Sequence, residues 1–232
     1  MSKRKKTTIY DFLGGMEIPA ANANGAGPFV KTVTGSGSVS ITGGECLLAL
    51  DATNEAQNVC LSMDNVYPFD VDDLIRVSIW ARLSVALGAA AKVRMGLASA
   101  RNDDPDAIAT SLFFGGTGDA DIEVEADDGT NELAAVDTGL DWSTTLRKFV
   151  FDFSEGILSQ SPPTLSKGGK YNVAAKVENA SGFLRRVAEN SAINIGAHTT
   201  GLQLYAQIQK TATTNLGTLA ISRIEVEHLI HA

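Results

Sequence analysis

Residues 74–83 read Leu-Ile-Arg-Val-Ser-Ile-Trp-Ala-Arg-Leu, and this stretch decides the fold class. Every second residue in it is aliphatic: Ile75, Val77, Ile79, Ala81 and Leu83. A period of two sends alternate side chains to opposite faces of a β-strand, so one aliphatic face beside one mixed face predicts a half-buried strand. The stretch therefore indicates a layered β-sheet protein.

Similar short runs, rich in Val, Ile, Thr and aromatic residues, recur about every 8–12 residues from Phe29 onward. The predicted strands are 29–34, 38–41, 45–50, 58–63, 74–83, 92–98, 108–114, 120–126, 146–153, 201–208 and 219–229. The apolar phase shifts between Ile221 and Ile224, which predicts a bulge in the last strand. The many predicted strands and the scarcity of sequence with helical periodicity favour an all-β, antiparallel, jelly-roll-like β-sandwich.

One segment departs from this pattern. Residues 176–190 are the best helix candidate, because Phe183, Leu184 and Val187 lie at helical spacing and Ser181 can cap the start. They belong to a long excursion from the sandwich, predicted at about 155–192. Long loops in compact folds are usually functional, and we expect this one to make subunit contacts.

The amino-terminal segment differs in charge from the rest. Four of the first six residues are basic, and the remaining chain carries -12. We predict an extended basic arm and linker at 1–28, followed by the sandwich at 29–232. The arm is either a solvated tail or a docking strand that adds to a partner's sheet edge. The residues predicted to dock are Lys3, Arg4, Lys5, Lys6, Ile9, Tyr10, Phe12 and Leu13.

Composition limits the function. The 232 residues have a formal charge of -8, so the acidic body would repel nucleic acid. No apolar run approaches the roughly 20 residues that span a bilayer, so no membrane contact is expected. The basic start is not followed by an apolar stretch of signal-peptide type, which predicts cytoplasmic synthesis. Cys46 and Cys60 fall on apolar phases of predicted strands, and we expect two buried free thiols.

Carboxylates come in clusters, of which residues 102–106 (Asn-Asp-Asp-Pro-Asp) are the best candidate for calcium. Asp also favours turns by accepting hydrogen bonds from nearby backbone, and we prefer that interpretation. No nucleophile elbow, phosphate-binding loop or His-Glu-x-x-His spacing occurs in the sequence. We therefore predict no catalytic residues, no cofactor and no metal.

Three stretches carry a resemblance to a known pattern. Residues 66–82 place a turn with Pro68 and Asp70 before an alternating strand that holds Trp80. Asp141-Trp142 and the following strand are similar to a later strand of that pattern, and 219–227 is similar to its closing strand. The ensemble resembles the jelly-roll layout of carbohydrate-binding-module-like sandwiches and of accessory proteins of tailed-phage virions.

An acidic sandwich rich in Gly, Ala and Thr, with a basic arm and no catalytic set, is most similar to phage head-decoration (cement) proteins. That resemblance implies a structural virion protein that binds the major capsid protein on the capsid exterior, stabilises the shell, and forms a homotrimer. Synthesis would take place in the host cytoplasm.

Two alternatives remain open. A glycan-binding module on a phage spike or tail would use Trp80 or Trp142 as a sugar platform, although tryptophan lies in a core more often. A polysaccharide-cleaving enzyme would need a clustered His, Tyr, Arg and Glu set, which the sequence hardly offers.

Overall fold

Strands form most of the chain in the computed structural model, which describes residues 3–13, 17–20, 27–64, 66, 68–118, 121–154 and 169–231. The strands are β1 Lys3–Asp11, β2 Val30–Thr34, β3 Ser38–Thr42, β4 Glu45–Leu50, β5 Glu55–Ser62, β6 Phe69–Asp70, β7 Leu74–Val85, β8 Ala91–Ala98, β9 Ser111–Thr117, β10 Asp121–Asp127, β11 Glu132–Asp141, β12 Arg147–Asp152, β13 Ala174–Glu178, β14 Leu184–Val187, β15 Gly201–Thr213 and β16 Gly217–His231. A 3-10 turn, Pro105–Ala107, precedes β9. Within the described residues no helix reaches the length and apolarity of a membrane span.

The strands form two eight-stranded antiparallel sheets. Sheet A has the order β14-β13-β12-β7-β16-β4-β3, and β1 also pairs with β16. Sheet B has the order β11-β10-β9-β8-β15-β5-β2, and β6 also pairs with β15. The predicted all-β, jelly-roll-like sandwich is confirmed.

The core lies between the sheets and follows the alternation in the sequence. Val77, Ile79, Ala81 and Leu83 of β7 are all at most 3% exposed. Opposite them, sheet B contributes Phe114, whose ring stacks on Phe151 of sheet A at 4.2 Å between centroids. Burying a large apolar side chain stabilises a fold by roughly 1.5–3 kcal/mol, so this double layer supplies the main driving force for folding.

Every strand predicted from Phe29 onward overlaps an observed strand, and 45–50 matches β4 at both ends. The predicted bulge is also confirmed, because the register of β16 against β7 shifts between Ile221 and Arg223.

The helix predicted over 176–190 is wrong. β13 and β14 form a hairpin at the edge of sheet A, with Val177 opposite Arg185 and Ala175 opposite Val187. Gly182 takes a left-handed conformation (φ 79°) in the turn, where the Asn179 side chain accepts the Ser181 and Phe183 amides. Phe183, one of the three residues at helical spacing, is 71% exposed. Two parts of the predicted excursion, Ala174–Glu178 and Leu184–Val187, thus belong to sheet A, while 155–168 lie outside the described residues.

Candidate functional site

The outer face of sheet B presents polar side chains in a regular alternation. Core residues such as Val93 and Met95 of β8, or Leu204 and Ala206 of β15, point toward sheet A. Their neighbours therefore point outward: Lys92, Arg94, Glu123, Glu125, Gln203, Tyr205, Gln207 and Gln209. This face combines cations, carboxylates and amides, and it holds a cavity of about 340 Å³.

Residues 99–110, here called the cover loop, lie across one part of this face. The Tyr205 hydroxyl donates to the Asn102 carbonyl (2.9 Å), and the Asn58 and Gln207 side-chain amides donate to the Asp103 carbonyl (2.6 and 2.9 Å). Ile108 of the loop points toward the sheet and packs in a second small core with Cys60, Ala98, Phe113 and Tyr205. Sheet side chains thus fix the loop through its backbone, which leaves the loop's own carboxylates at its surface.

Those carboxylates include the cluster considered for calcium. The Asn102 side chain accepts the Asp104 amide (3.0 Å), and the Asp104 carboxylate accepts the Asp106 amide (3.2 Å). Asp104 therefore caps the 3-10 turn, and Asn102 stabilises the turn that leads into it. In the part of the chain that the structure describes, no three His, Cys, Asp or Glu side chains are grouped to hold a metal ion.

A cavity of about 340 Å³ opens between the cover loop and the β10–β11 hairpin. We call it the cleft. Its lining combines carboxylates, one arginine and an apolar wall: Arg94, Pro105, Asp106, Ser111, Glu125, Ala126, Asp127, Glu132, Leu133, Ala134 and Ala135.

Arg94 forms the floor of the cleft and is only 5% exposed. Its side chain lies across Gly115 of β9, where an added Cβ would come within 2.6 Å of the Arg94 Nη1. The guanidinium pairs with Glu125 and lies 3.8 Å from Asp106 and 4.0 Å from Glu123. The glycine is therefore required here, because it allows the arginine of β8 to reach across β9 to Glu125 on β10.

Burial raises the pKa of Glu125, and the nearby carboxylates of Asp106 and Glu123 act in the same direction, while Arg94 opposes them. Its carboxyl thus sits in a site where negative charge is already crowded. A carboxyl group in a cleft whose pKa is shifted by burial and by charged neighbours is a candidate functional group.

The β10–β11 hairpin adds carboxylates in an unusual arrangement, which we call the acidic ladder. Three pairs lie directly opposite in the register: Asp121 and Asp141, Glu123 and Asp137, Asp127 and Glu132. Like charges placed opposite each other destabilise a sheet. Among the described residues no Lys, Arg or His lies within 4.0 Å of the carboxylates of Asp127, Glu132, Asp137 or Asp141. The ladder borders the cleft at Asp127 and Glu132.

The outer face of sheet A is also charged, and several of its carboxylates are paired with cations. Asp152, 0% exposed, accepts from Arg76 (3.1 Å) and Lys176 (3.2 Å), and Arg82 makes a two-bond pair with Glu45 (2.9 and 2.7 Å). The first two pairs join β7, β12 and β13, and the third joins β7 to β4 across β16.

The two tryptophans considered as sugar platforms are both occupied. Trp80 lies on the sheet A face between its register neighbours, with Lys148 Nζ 4.5 Å and the Arg223 guanidinium 5.6 Å from its ring centroid. Trp142 is 6% exposed, packs on Phe149 at 5.0 Å and donates to the Gly115 carbonyl (3.1 Å). Burial thus keeps the Trp142 ring from stacking on a sugar, and the Trp80 ring already contacts two cations.

The predicted docking residues Lys3, Arg4, Lys5, Lys6, Ile9 and Tyr10 lie in β1, which pairs with β16 of the same chain. Lys5 pairs with Glu227 at 2.6 Å. Tyr10 and Phe12 pack on Phe29, at 5.2 and 5.7 Å between ring centroids. The arm therefore has the predicted extended conformation. One edge of β1 pairs with β16 of the same chain, and Tyr10 and Phe12 pack against its core. Leu13 is 66% exposed. Docking by this arm stays a prediction.

Cys46 and Cys60 are buried and free, as predicted. Burial raises the pKa of each thiol to about 12, so both stay protonated at neutral pH. Cys46 lies between the sheets and Cys60 lies beneath the cover loop.

Sequence reasoning did not find the cleft. Its one visible signal was the alternation of acidic and aliphatic residues over 121–125. The opposing strand β11 was not predicted, because its burial does not follow a simple alternation and its register against β10 shifts twice.

Comparisons with known proteins show the fold. No protein-family profile and no curated protein matches the sequence. The structure is similar to a seed lectin of Lotus tetragonolobus, with a TM-score of 0.58 and 9% identity over 98% of this chain and 100% of the lectin. It is also similar to the carbohydrate recognition domain of Emp47p, with a TM-score of 0.57 and 11% identity over 96% and 94% of the two chains. A non-specific endo-beta-1,3(4)-glucanase from family GH16 has a TM-score of 0.51 and 8% identity over 82% and 73%.

These likenesses confirm the jelly-roll part of the expected resemblance, in the form of a lectin-like sandwich. At such identities they concern the fold alone. The capsid-decoration assignment stays a prediction.

Proposed function

We propose that this chain is a carbohydrate-binding module and that the cleft on sheet B is its binding site. The observation that carries the proposal is the cavity of about 340 Å³, in which an apolar wall faces convergent polar groups. Ligand sites typically combine a concave, partly apolar surface with a few placed polar groups. Lectin and glucanase likenesses support a sugar as the ligand, since two of the similar proteins are named for carbohydrate recognition or cleavage.

The cleft offers both kinds of contact that a sugar uses. Carboxylates at Asp106 and Glu125 accept hydrogen bonds from sugar hydroxyls, and such charge-assisted bonds are stronger than neutral ones. Pro105, Leu133 and Ala134 supply an apolar wall for the C–H face of the ring. With no free aromatic ring in this lining, we expect weak binding, with a Kd of about 1 mM for a short oligosaccharide. The proposed activity is binding without bond cleavage.

Binding is tested by titrating the protein with a panel of oligosaccharides while recording amide shifts by NMR. We expect shifts confined to the cover loop, β10 and β11, and the loss of these shifts in Leu133→Trp, which fills the cavity. Lys148→Met on sheet A is the matched control and should bind as the original protein does. Shifts that survive Leu133→Trp, or that cluster around Trp80, would place the site elsewhere.

A second candidate function is the capsid-decoration role, with the major capsid protein as partner on the virion exterior and a homotrimer as the binding unit. One observation favours it: Arg4 and Lys6 are exposed on β1, which among the described strands pairs only with β16. A strand with one open edge can add to another sheet.

Charge reversal separates this role from the fold. Arg4→Glu with Lys6→Glu leaves Tyr10, Phe12 and the Lys5–Glu227 pair in place, and we expect it to abolish occupancy on purified capsids. Unchanged occupancy, or a monomer in sedimentation, would argue against the role.

A further inference from the structure

We infer that the cleft selects glycans bearing free amino groups over neutral and acidic glycans. The inference rests on the proposed carbohydrate site and adds the class of ligand. It starts from the balance of charge in the lining, which holds the carboxylates of Asp106, Glu125, Asp127 and Glu132 against the single cation of Arg94.

The positive charge of the cleft is already engaged. Arg94 is buried in the floor and pairs with Glu125. Lys92, at the margin, pairs with Asp106 at 3.0 Å. The cations of the floor do not compensate the negative charge of the rim pair, Asp127 and Glu132. These two residues lie directly opposite each other on β10 and β11.

This rim pair is unfavourable without a ligand. Cross-strand neighbours with the same charge repel, and no cation of the described residues lies within 4.0 Å of either carboxylate. One Asp127 oxygen accepts the Gly129 amide at 2.7 Å, which fixes the side chain without neutralising it. A ligand ammonium placed between the two carboxylates would turn the repulsion into two attractions.

The ladder continues the negative field beyond the cleft. Glu123 with Asp137 lies four residues along β10 from Asp127, and Asp121 with Asp141 lies two residues further. At about 3.4 Å per residue these steps are about 14 and 7 Å, so an oligomer of several amino sugars can follow the hairpin. The same field repels uronates and sulfated sugars.

A sugar fits this site better than a basic peptide does. The apolar wall of Pro105, Leu133 and Ala134 bounds a cavity of about 340 Å³, which suits a ring. An extended peptide binds mainly through backbone pairing at a sheet edge. The floor of the cleft is instead formed by side chains of paired strands.

The test uses three ligands of matched length on the full chain: a glucosamine oligomer, its fully N-acetylated counterpart and an oligogalacturonate. Calorimetry at low salt should show the aminated oligomer binding about tenfold tighter than the acetylated one, with the uronate not binding. Raising the salt to about 1 M, where the Debye length falls to about 3 Å, should bring the two affinities together.

Asp127→Asn with Glu132→Gln should reduce the preference for the aminated oligomer over the acetylated oligomer to about twofold or less. Glu17→Gln with Glu189→Gln, both exposed and distant in sequence from the hairpin, changes net charge equally and should keep the preference. Melting temperatures of both variants confirm that each is folded.

Equal affinities for the aminated and acetylated oligomers in the original protein would refute the inference and leave the proposed function standing. Absence of binding by any oligosaccharide would refute the proposed function itself. Oligolysine binding as tightly as the aminated glycan, with the same sensitivity to the double variant, would show a general cation surface and overturn the sugar selectivity.

Discussion

The two outer faces of this sandwich use charge in opposite ways. On sheet A, Asp152 is paired with Arg76 and Lys176, and Glu227 with Lys5. On sheet B, the cations are fewer, and opposed carboxylates line a cavity without a cation between them. The comparison teaches that a structural face and a ligand face can share a composition. What separates them is whether the carboxylates have cation partners: Asp152 has two, whereas no cation of the described residues lies within 4.0 Å of Asp127 or Glu132.

The largest effect is expected from removing the central carboxylate of the sheet A face. Asp152→Ala leaves Lys176 and Arg76 without it, and loss of one partner of a buried pair is expensive. Since Arg76 is partly exposed, we expect the free energy of unfolding, measured in urea, to fall by about 3 kcal/mol. This value is at the low end of what the loss of one partner of a buried ion pair costs. Glu225→Gln, on the same face but near the surface, should lose less than about 1 kcal/mol.

Asp152 also sets a pH dependence. Burial raises its pKa, but hydrogen bonds from Ser154 and the charges of Lys176 and Arg76 outweigh this and lower it. Its contribution is therefore complete above the unfolded pKa of about 3.9, and it is lost as the pH falls through the lower folded value. Stability that declined instead between pH 7 and 5 would point to a different group.

The next effect concerns the floor of the cleft. Arg94→Met removes the cation that Glu125 and Glu123 share, and we expect a loss of about 2 kcal/mol. Adding Glu125→Gln should recover part of it, because the buried charge is then removed together with its partner. Strictly additive losses in this double-mutant cycle would mean that the ion pair contributes nothing.

A smaller effect should have opposite signs on the two faces. Asp127→Asn on sheet B relieves a repulsion, and we expect a gain of about 0.5 kcal/mol. Glu227→Gln on sheet A loses its pair with Lys5, and we expect a loss of similar size. Parallel urea titrations measure both, and a shared sign would contradict the distinction between the faces.

The smallest effect concerns β1. Burial and the charge of Lys6 lower the pKa of His228, whose ring contacts Phe69 and lies 3.4 Å from the Thr8 hydroxyl. Pairing of β1 is therefore strongest above the unfolded pKa of about 6.5 and weakens as the pH falls toward the lowered value. Hydrogen exchange at Thr7 to Tyr10 should quicken a few-fold between pH 7 and 5.5, after correction for intrinsic rates. His228→Gln should remove this change.

The sandwich could be predicted because the alternation of apolar and polar residues within each strand shows which of its faces is buried. Ile75 to Leu83 alternate, and a face that must be buried fixes the strand wherever its partner lies. The local sequence led to a wrong helix prediction at Phe183, Leu184 and Val187. Three apolar residues over five positions are compatible with one face of a helix and equally with a β-hairpin at a sheet edge. The cleft needed information that no single segment holds. The position of its rim depends on the register of β10 against β11. The position of the cover loop depends on the carbonyls of Asn102 and Asp103, which accept hydrogen bonds from side chains of β15.

The position of β1 has a practical consequence for handling the molecule. Since Lys3 begins a strand on β16 of sheet A, a tether attached ahead of it joins the molecule at the sheet opposite the cleft. Immobilisation through an amino-terminal tag would therefore orient sheet B away from the support. Biosensor chips and display scaffolds built this way would keep the cavity accessible to polymers in the flow.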